Sequence, residues 1–171
     1  MTEGVTLESA GAGDATLLGN LMELYIHDLS AVFRHVKLGP DGRFGYPALG
    51  SYLSASGERF GFVIRCEGEV AGFVLARRGS PASEDPNVLD VAEFFVLRSF
   101  RERGVGQAAA RLLWGAMRGK WVIRALVRNT KAVGFWRALV SAYTNGRYEE
   151  RERMDGSSKW VVLSFDSSQS A

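Results

Sequence analysis

From Asp14 onward, Leu17, Leu18, Leu21, Leu24 and Tyr25 fall three or four positions apart, the spacing that gives an α-helix one apolar stripe. Asp14 stands where an N-cap is wanted, and Val5 to Glu8 ahead of it reads as a short strand. Phe60 to Cys66 and Val70 to Ala76 are apolar runs on either side of Glu67-Gly68-Glu69, which predicts an antiparallel hairpin. Val88 to Leu97 predicts a further strand. A helix from about Gly106 to Met117, a strand from Trp121 to Val127 and a helix from about Lys131 to Tyr143 follow, then two strands near Tyr148 to Met154 and Lys159 to Phe165. A meander that passes into strand-helix alternation means a mixed α/β sheet. Residues 30–57 break the pattern, being rich in Gly and carrying Phe33, Phe44, Tyr46 and Tyr52 at no regular period. Such a segment suits a substrate-facing loop with short helices.

Composition narrows the class. The 171 residues, 46% hydrophobic and 23% charged, show no repeat and no linker, so one domain over 1–171 is expected. No apolar run approaches the roughly 18 residues of a membrane span, and no membrane partner is expected. The opening Met1-Thr2-Glu3-Gly4 lacks a basic-then-apolar leader, which leads to the expectation of a cytoplasmic protein. Cys66, the sole cysteine, sits in an apolar run and reads as core filler. His27 and His35 read as surface residues, and with no Cys or His cluster no metal is expected.

Charge changes the picture more. Between Arg103 and Tyr148 lie nine Lys or Arg residues and no Asp or Glu, whereas the rest of the chain holds twelve basic and nineteen acidic residues. A net charge of +2 therefore conceals a stretch fit to seat a polyanion. It opens with Arg101-Glu102-Arg103-Gly104-Val105-Gly106-Gln107-Ala108, whose glycines expose amides just before a helix-forming run. Bare amides at a helix N-terminus bind phosphate well. Gly104 to Ala109 fits the relaxed dinucleotide fingerprint, but no acidic residue follows about 20 positions later to hold a ribose. The nucleotide-triphosphatase loop fails as well, because Gly106 is followed by Gln107 and Ala108. A glycine turn with no ligand stays open on the motif alone.

The segment Val96 to Gly106 resembles the acetyl-CoA signature of the GNAT superfamily of N-acetyltransferases: Gln or Arg, two residues, Gly, any residue, then Gly or Ala. Arg101, Gly104 and Gly106 fill those places, and Asn129, Ala132, Phe135 and Trp136 match the Asn-x-x-Ala-x-x-Phe-aromatic pattern that opens the family's next helix. The resemblance implies a mixed, mostly antiparallel sheet of about seven strands flanked by helices, with a V-shaped splay between the fourth and fifth. It implies acetyl-CoA as cofactor, its pyrophosphate on amides from Arg103 through Gly104, Val105, Gly106 and Gln107 to Ala108. The pantetheine arm would run along Phe94, Phe95 and Val96, with Asn129 at the gap and Phe135 and Trp136 beside it.

It also implies direct attack of a primary amine on the thioester through a tetrahedral intermediate. Glu93, in Glu93-Phe94-Phe95-Val96, resembles the acid of polyamine acetyltransferases, and Asp90 stands where histone-type members carry their base. Three residues apart, the two would lie on opposite faces of a regular strand, unless a β-bulge intervenes. Trp136 replaces the tyrosine that serves many members as general acid, and Tyr143, roughly 10 Å further along the helix, is a poor substitute. Arg124, where ribosomal-protein acetyltransferases carry an acidic residue, argues against that subclass. Tyr25 and Asp28 at the end of the first helix are the expected acceptor wall, for a small cationic metabolite. By its position Asp28 could equally cap the turn that follows. The family's habit allows a homodimer. Two rivals follow: a non-catalytic acyl-CoA-binding or regulatory module, and a nucleic-acid-binding domain built on the basic stretch, against which the interleaving of basic with apolar positions argues.

Overall fold

A computed structural model describes residues 4–169. Seven strands, β1 (Val5–Ser9), β2 (Arg59–Cys66), β3 (Glu69–Arg78), β4 (Leu89–Val96), β5 (Lys120–Leu126), β6 (Glu149–Asp155) and β7 (Ser158–Asp166), form one sheet in the order β1-β2-β3-β4-β5-β7-β6. Every neighbouring pair is antiparallel except β4 and β5, which run parallel and are joined only at Leu89↔Trp121, Asp90↔Val122 and Val91↔Ile123. Beyond Val91 the two strands part, so the expected splay is present and residues 92–96 of β4, still paired with β3 on one edge, face an opening on the β5 edge.

Two further features shape β4. Its register against β3 slips between Leu75↔Glu93 and Ala76↔Val91, which leaves Ala92 as a bulge. The extra residue puts Asp90 and Glu93 on the same face. At Gly72 the strands come so close that a Cβ would lie 1.9 Å from the Phe95 carbonyl oxygen, and only glycine fits.

Helix α1 (Ala15–Leu29) covers one face of the sheet, packing Leu18, Leu21 and Met22 on Val63, Phe73, Leu75 and Phe95. Helices α3 (Val105–Ala116) and α4 (Thr130–Thr144) cover the other around Trp114, Trp121, Ile123 and Trp136, and a short α2 (Leu49–Tyr52) lies near α1. The α1 stripe is narrower than expected: Leu24 is 52% exposed. Asp14 does precede α1, but its carboxylate turns back to accept from the Gly11 amide (2.9 Å) and makes no cap bond to the helix. Cys66 is buried, as core filler should be. On the α1 side of the β5–β7 half, Val122 and Val162 pack with Ala82, Val88 and Trp160. There Phe33, from the segment after α1, reaches the Trp160 ring at 5.9 Å. Among the described residues no helix is long and apolar enough to cross a membrane.

Candidate functional site

A cleft of about 630 Å³ lies where β4 leaves β5, walled by Phe94, Phe95 and Val96 on one side and by Asn129, Phe135 and Trp136 on the other. Gly104, Gly106 and Gln107 form one end of it. Gly104 adopts φ 77°, a left-handed conformation that glycine takes at no steric cost, and it stands at the α3 N-cap with no side chain bonding the first turn. The first bond of the helix is made by the Ala108 amide to the Gly104 carbonyl (3.0 Å). The turn's free donors therefore end at Gln107, and Ala108, expected among the phosphate-binding amides, is spent inside the helix. Gly106 keeps the approach open: a Cβ there would press to 3.3 Å on Phe135. Val105 is buried, and the Arg103 guanidinium lies 5.5 Å over the Phe100 ring.

Arg101 braces the turn from beneath. Its Nε donates to the Val96 carbonyl (2.7 Å) and its Nη2 to Asp28 (2.5 Å), whose other oxygen accepts from Arg98 (2.6 Å). Burial pushes the Asp28 carboxyl up, but the bonds from Arg101 and Arg98 outweigh it and hold the group below the ordinary carboxylate range. Expected to hold an ammonium group, Asp28 is instead taken up by two arginines and ties α1 to the glycine turn. Asn129 caps α4, its Oδ1 accepting from the Ala132 amide (3.3 Å), and so fixes the loop at the gap.

A second cleft, about 530 Å³, opens on the other side of the splay and shares Tyr25, Phe94, Asn129 and Trp136 with the first. Glu93 lies in it. The Tyr25 hydroxyl donates to one carboxylate oxygen (2.7 Å) and the Tyr46 hydroxyl to the other (3.0 Å). Burial raises the Glu93 carboxyl above its ordinary value, and the two tyrosines only partly offset this. Both phenols are pushed well up in turn, by burial and by the carboxylate beside them, and stay donors. Tyr46 is placed by Glu23 of α1, which accepts from the Phe44 and Gly45 amides (2.7 and 2.8 Å) and pins the aperiodic segment to the helix.

Asp90 shares a face with Glu93 but not the cleft. Fully buried at 0% exposure, it accepts from Arg124 through Nε (3.0 Å) and Nη2 (3.2 Å), faces Arg77 at 3.6 Å, and takes a short hydrogen bond from Ser80. The bulge that was to bring both carboxylates to the opening brings only Glu93, because Asp90 sits where β4 and β5 are still joined. Among the described residues no cluster suited to a metal ion occurs.

The model of the acetyltransferase (GNAT) family matches residues 22–139, most of the chain. The chain belongs to the GNAT family. Its fold is shared with an acetyltransferase from Thermus thermophilus, at 16% identity and TM-score 0.67 over 96% of this chain and 98% of that one. The GNAT domain of S. lividans PAT aligns at 19% identity and TM-score 0.63, covering 95% and 90% of the two chains. The aminoglycoside acetyltransferase AAC(6')-Ib, solved with ribostamycin and coenzyme A, aligns at 15% identity and TM-score 0.67 over 96% and 94%. No curated protein matches the chain.

Acetyl-CoA is the cosubstrate that GNAT membership brings, and the residues present fit it: an uncapped helix N-terminus, a free edge of β4 and a cleft between them. In this GNAT chain Trp136 is packed edge-on against Phe94 (4.9 Å) at the junction of the clefts, and Tyr143 lies away in the core against Trp114 (4.8 Å). The basic stretch does not form one surface stripe: Arg124 turns inward to Asp90, Arg137 pairs with Glu150 (2.5 Å) and Arg111 lies over Tyr143. Tyr46 and Glu23 as partners of the site went unread in the sequence, since both act across 20 or more residues through a segment without periodicity. The density of aromatics in that segment was the only signal.

Proposed function

We propose that the protein is an acetyl-CoA-dependent N-acetyltransferase in which Glu93 is the base that receives the proton of a primary amine, the acceptor being a small cationic metabolite. The observation that carries this is the half-buried Glu93 carboxylate, lifted above its ordinary value and held by Tyr25 and Tyr46 in the second cleft, where Tyr25 also lines the first. A base poised closer to neutral pH removes a proton from an ammonium group more readily than an ordinary carboxylate does. The first cleft would hold coenzyme A, with the amides of Val105, Gly106 and Gln107 toward the pyrophosphate and the edge of β4 along the pantetheine arm. Acetyl-CoA supplies the acetyl thioester. From the second cleft the ammonium group passes one proton to Glu93, the freed nitrogen bonds to the acetyl carbon, the carbon–sulfur bond breaks, and the second nitrogen proton is taken up by the departing sulfur. Coenzyme A leaves as a thiolate, a tolerable leaving group that needs no phenol at position 136.

Glu93→Gln keeps the size of the side chain but removes its basicity and replaces one of its two acceptor oxygens with an N–H donor. Thiol release with an amine acceptor is expected to fall by about 10²-fold or more, while calorimetric affinity for acetyl-CoA stays within about twofold. Unchanged turnover would remove Glu93 from the reaction. Trp136 in place of a tyrosine favours one competing reading, a non-catalytic acyl-CoA-binding module, which predicts tight cofactor binding and no thiol release with any amine.

A further inference from the structure

The second cleft restricts what its amine can carry. Glu93 is the only carboxylate among the described residues that line it, whereas two cations, Lys37 and Arg124, line it as well. Glu93 can receive one ammonium group. A second ammonium on the same molecule would find no other carboxylate in the lining: Asp90 is buried under Arg77 and Arg124, Asp28 is held by Arg98 and Arg101, and Glu23 is taken up by the Phe44 and Gly45 amides and Arg43. Aromatic rings can substitute for carboxylates in holding cations. Here, though, the Arg124 guanidinium already lies 5.7 Å over Trp160, the largest ring of the outer wall. What the lining does offer is planar apolar surface, with Phe33 set at 50° to Trp160 and Phe44, whose amide is held by Glu23 and whose ring lies 6.5 Å from His27, lining the same cleft.

We infer that the acceptor is an aromatic monoamine: one ammonium group directed to Glu93, a ring seated among Phe33, Phe44 and Trp160, and no second cation. This rests on the reading of the second cleft as the acceptor side. It narrows the metabolite to singly charged amines and sets aside polyamines and aminoglycosides, whose further ammonium groups would meet Lys37 and no second carboxylate in the lining.

Calorimetric titration of the coenzyme A-loaded protein with tryptamine, phenethylamine, spermidine and ribostamycin tests it without requiring turnover. Tryptamine is expected to bind at least tenfold more tightly than spermidine. Phe33→Ala, in a segment outside the sheet, should weaken tryptamine about tenfold and leave coenzyme A affinity unchanged. Lys37→Glu, at an exposed position, should narrow the gap between tryptamine and spermidine by strengthening the latter. Spermidine or ribostamycin binding as tightly as tryptamine, no binding of any amine, or tryptamine affinity indifferent to Phe33→Ala would each overturn the inference. Thiol release from acetyl-CoA, followed alongside, reports separately on catalysis: tryptamine that binds without releasing thiol contradicts the acetyltransferase reading and leaves the ligand class standing.

Discussion

Glu93, the base proposed above, carries its raised carboxyl at some expense to the fold. Burial raises its carboxyl above the ordinary 4.5, so between that value and the raised one the folded protein holds a proton that the unfolded chain has released. Stability contributed by this group is therefore present below pH 4.5 and is lost as pH rises through the window. At pH 7 the neutral Glu93→Gln variant is expected to melt about 2 °C or more above the wild type, an advantage that shrinks toward pH 4; differential scanning calorimetry at the two pH values checks it. Tyr46→Phe acts in the opposite sense on the same carboxylate. Removing a donor to the ionised form raises the carboxyl further, so the acid limb of kcat/KM should move to higher pH. A hydrogen bond to a charged group is worth about 1.5–3 kcal/mol, enough for a pH-rate profile to resolve. A limb that stays put would mean that Tyr46 only fills space.

Among the elements, β4 carries most of the constraint. It is pressed against β3 at Gly72, bulged at Ala92 and abandoned by β5 after Val91. Gly72→Ala puts a methyl group 1.9 Å from the Phe95 carbonyl oxygen, forcing the strands apart beneath the β4 edge proposed to line the pantetheine arm. Denaturant titration should show a loss of about 3 kcal/mol or more, with acetyl-CoA affinity reduced in the fraction that remains folded. The order of elements was legible because periods of 2 and 3.6 are local properties, and the glycine turn was legible because a left-handed N-cap needs Gly at a fixed place. Leu24 misled because helical spacing says which residues share a stripe but not how wide a stripe the sheet can cover. Asp90 and Glu93 could not be told apart, because the difference lies in Arg77 of β3, Arg124 of β5 and Tyr46 of the loop, none of them near in sequence. The arginine pairing of Asp28 was out of reach for the same reason: Arg98 and Arg101 are about 70 residues away.

Taken whole, the molecule is two leaves of sheet, β1 to β4 and β5 to β7, that meet along three residue pairs. Each leaf is well bonded within itself, and the cleft on which acyl transfer depends is the angle between them. Three parallel pairs are a narrow seam for two such plates. Asp90 sits on that seam, fastened to Arg77 in one leaf and Arg124 in the other. Asp90→Asn leaves two half-buried guanidinium groups without their counter-charge; removing one partner of a fully buried pair costs about 3–5 kcal/mol, so a loss of about 2 kcal/mol or more is expected, which urea unfolding would register. Beyond that loss, the carboxylate behaves as a rivet: with it drawn, the leaves gain freedom to swing, and the gap between thioester and amine is no longer set by the fold. A residue that lines neither cleft thus governs the angle at which the two leaves stand.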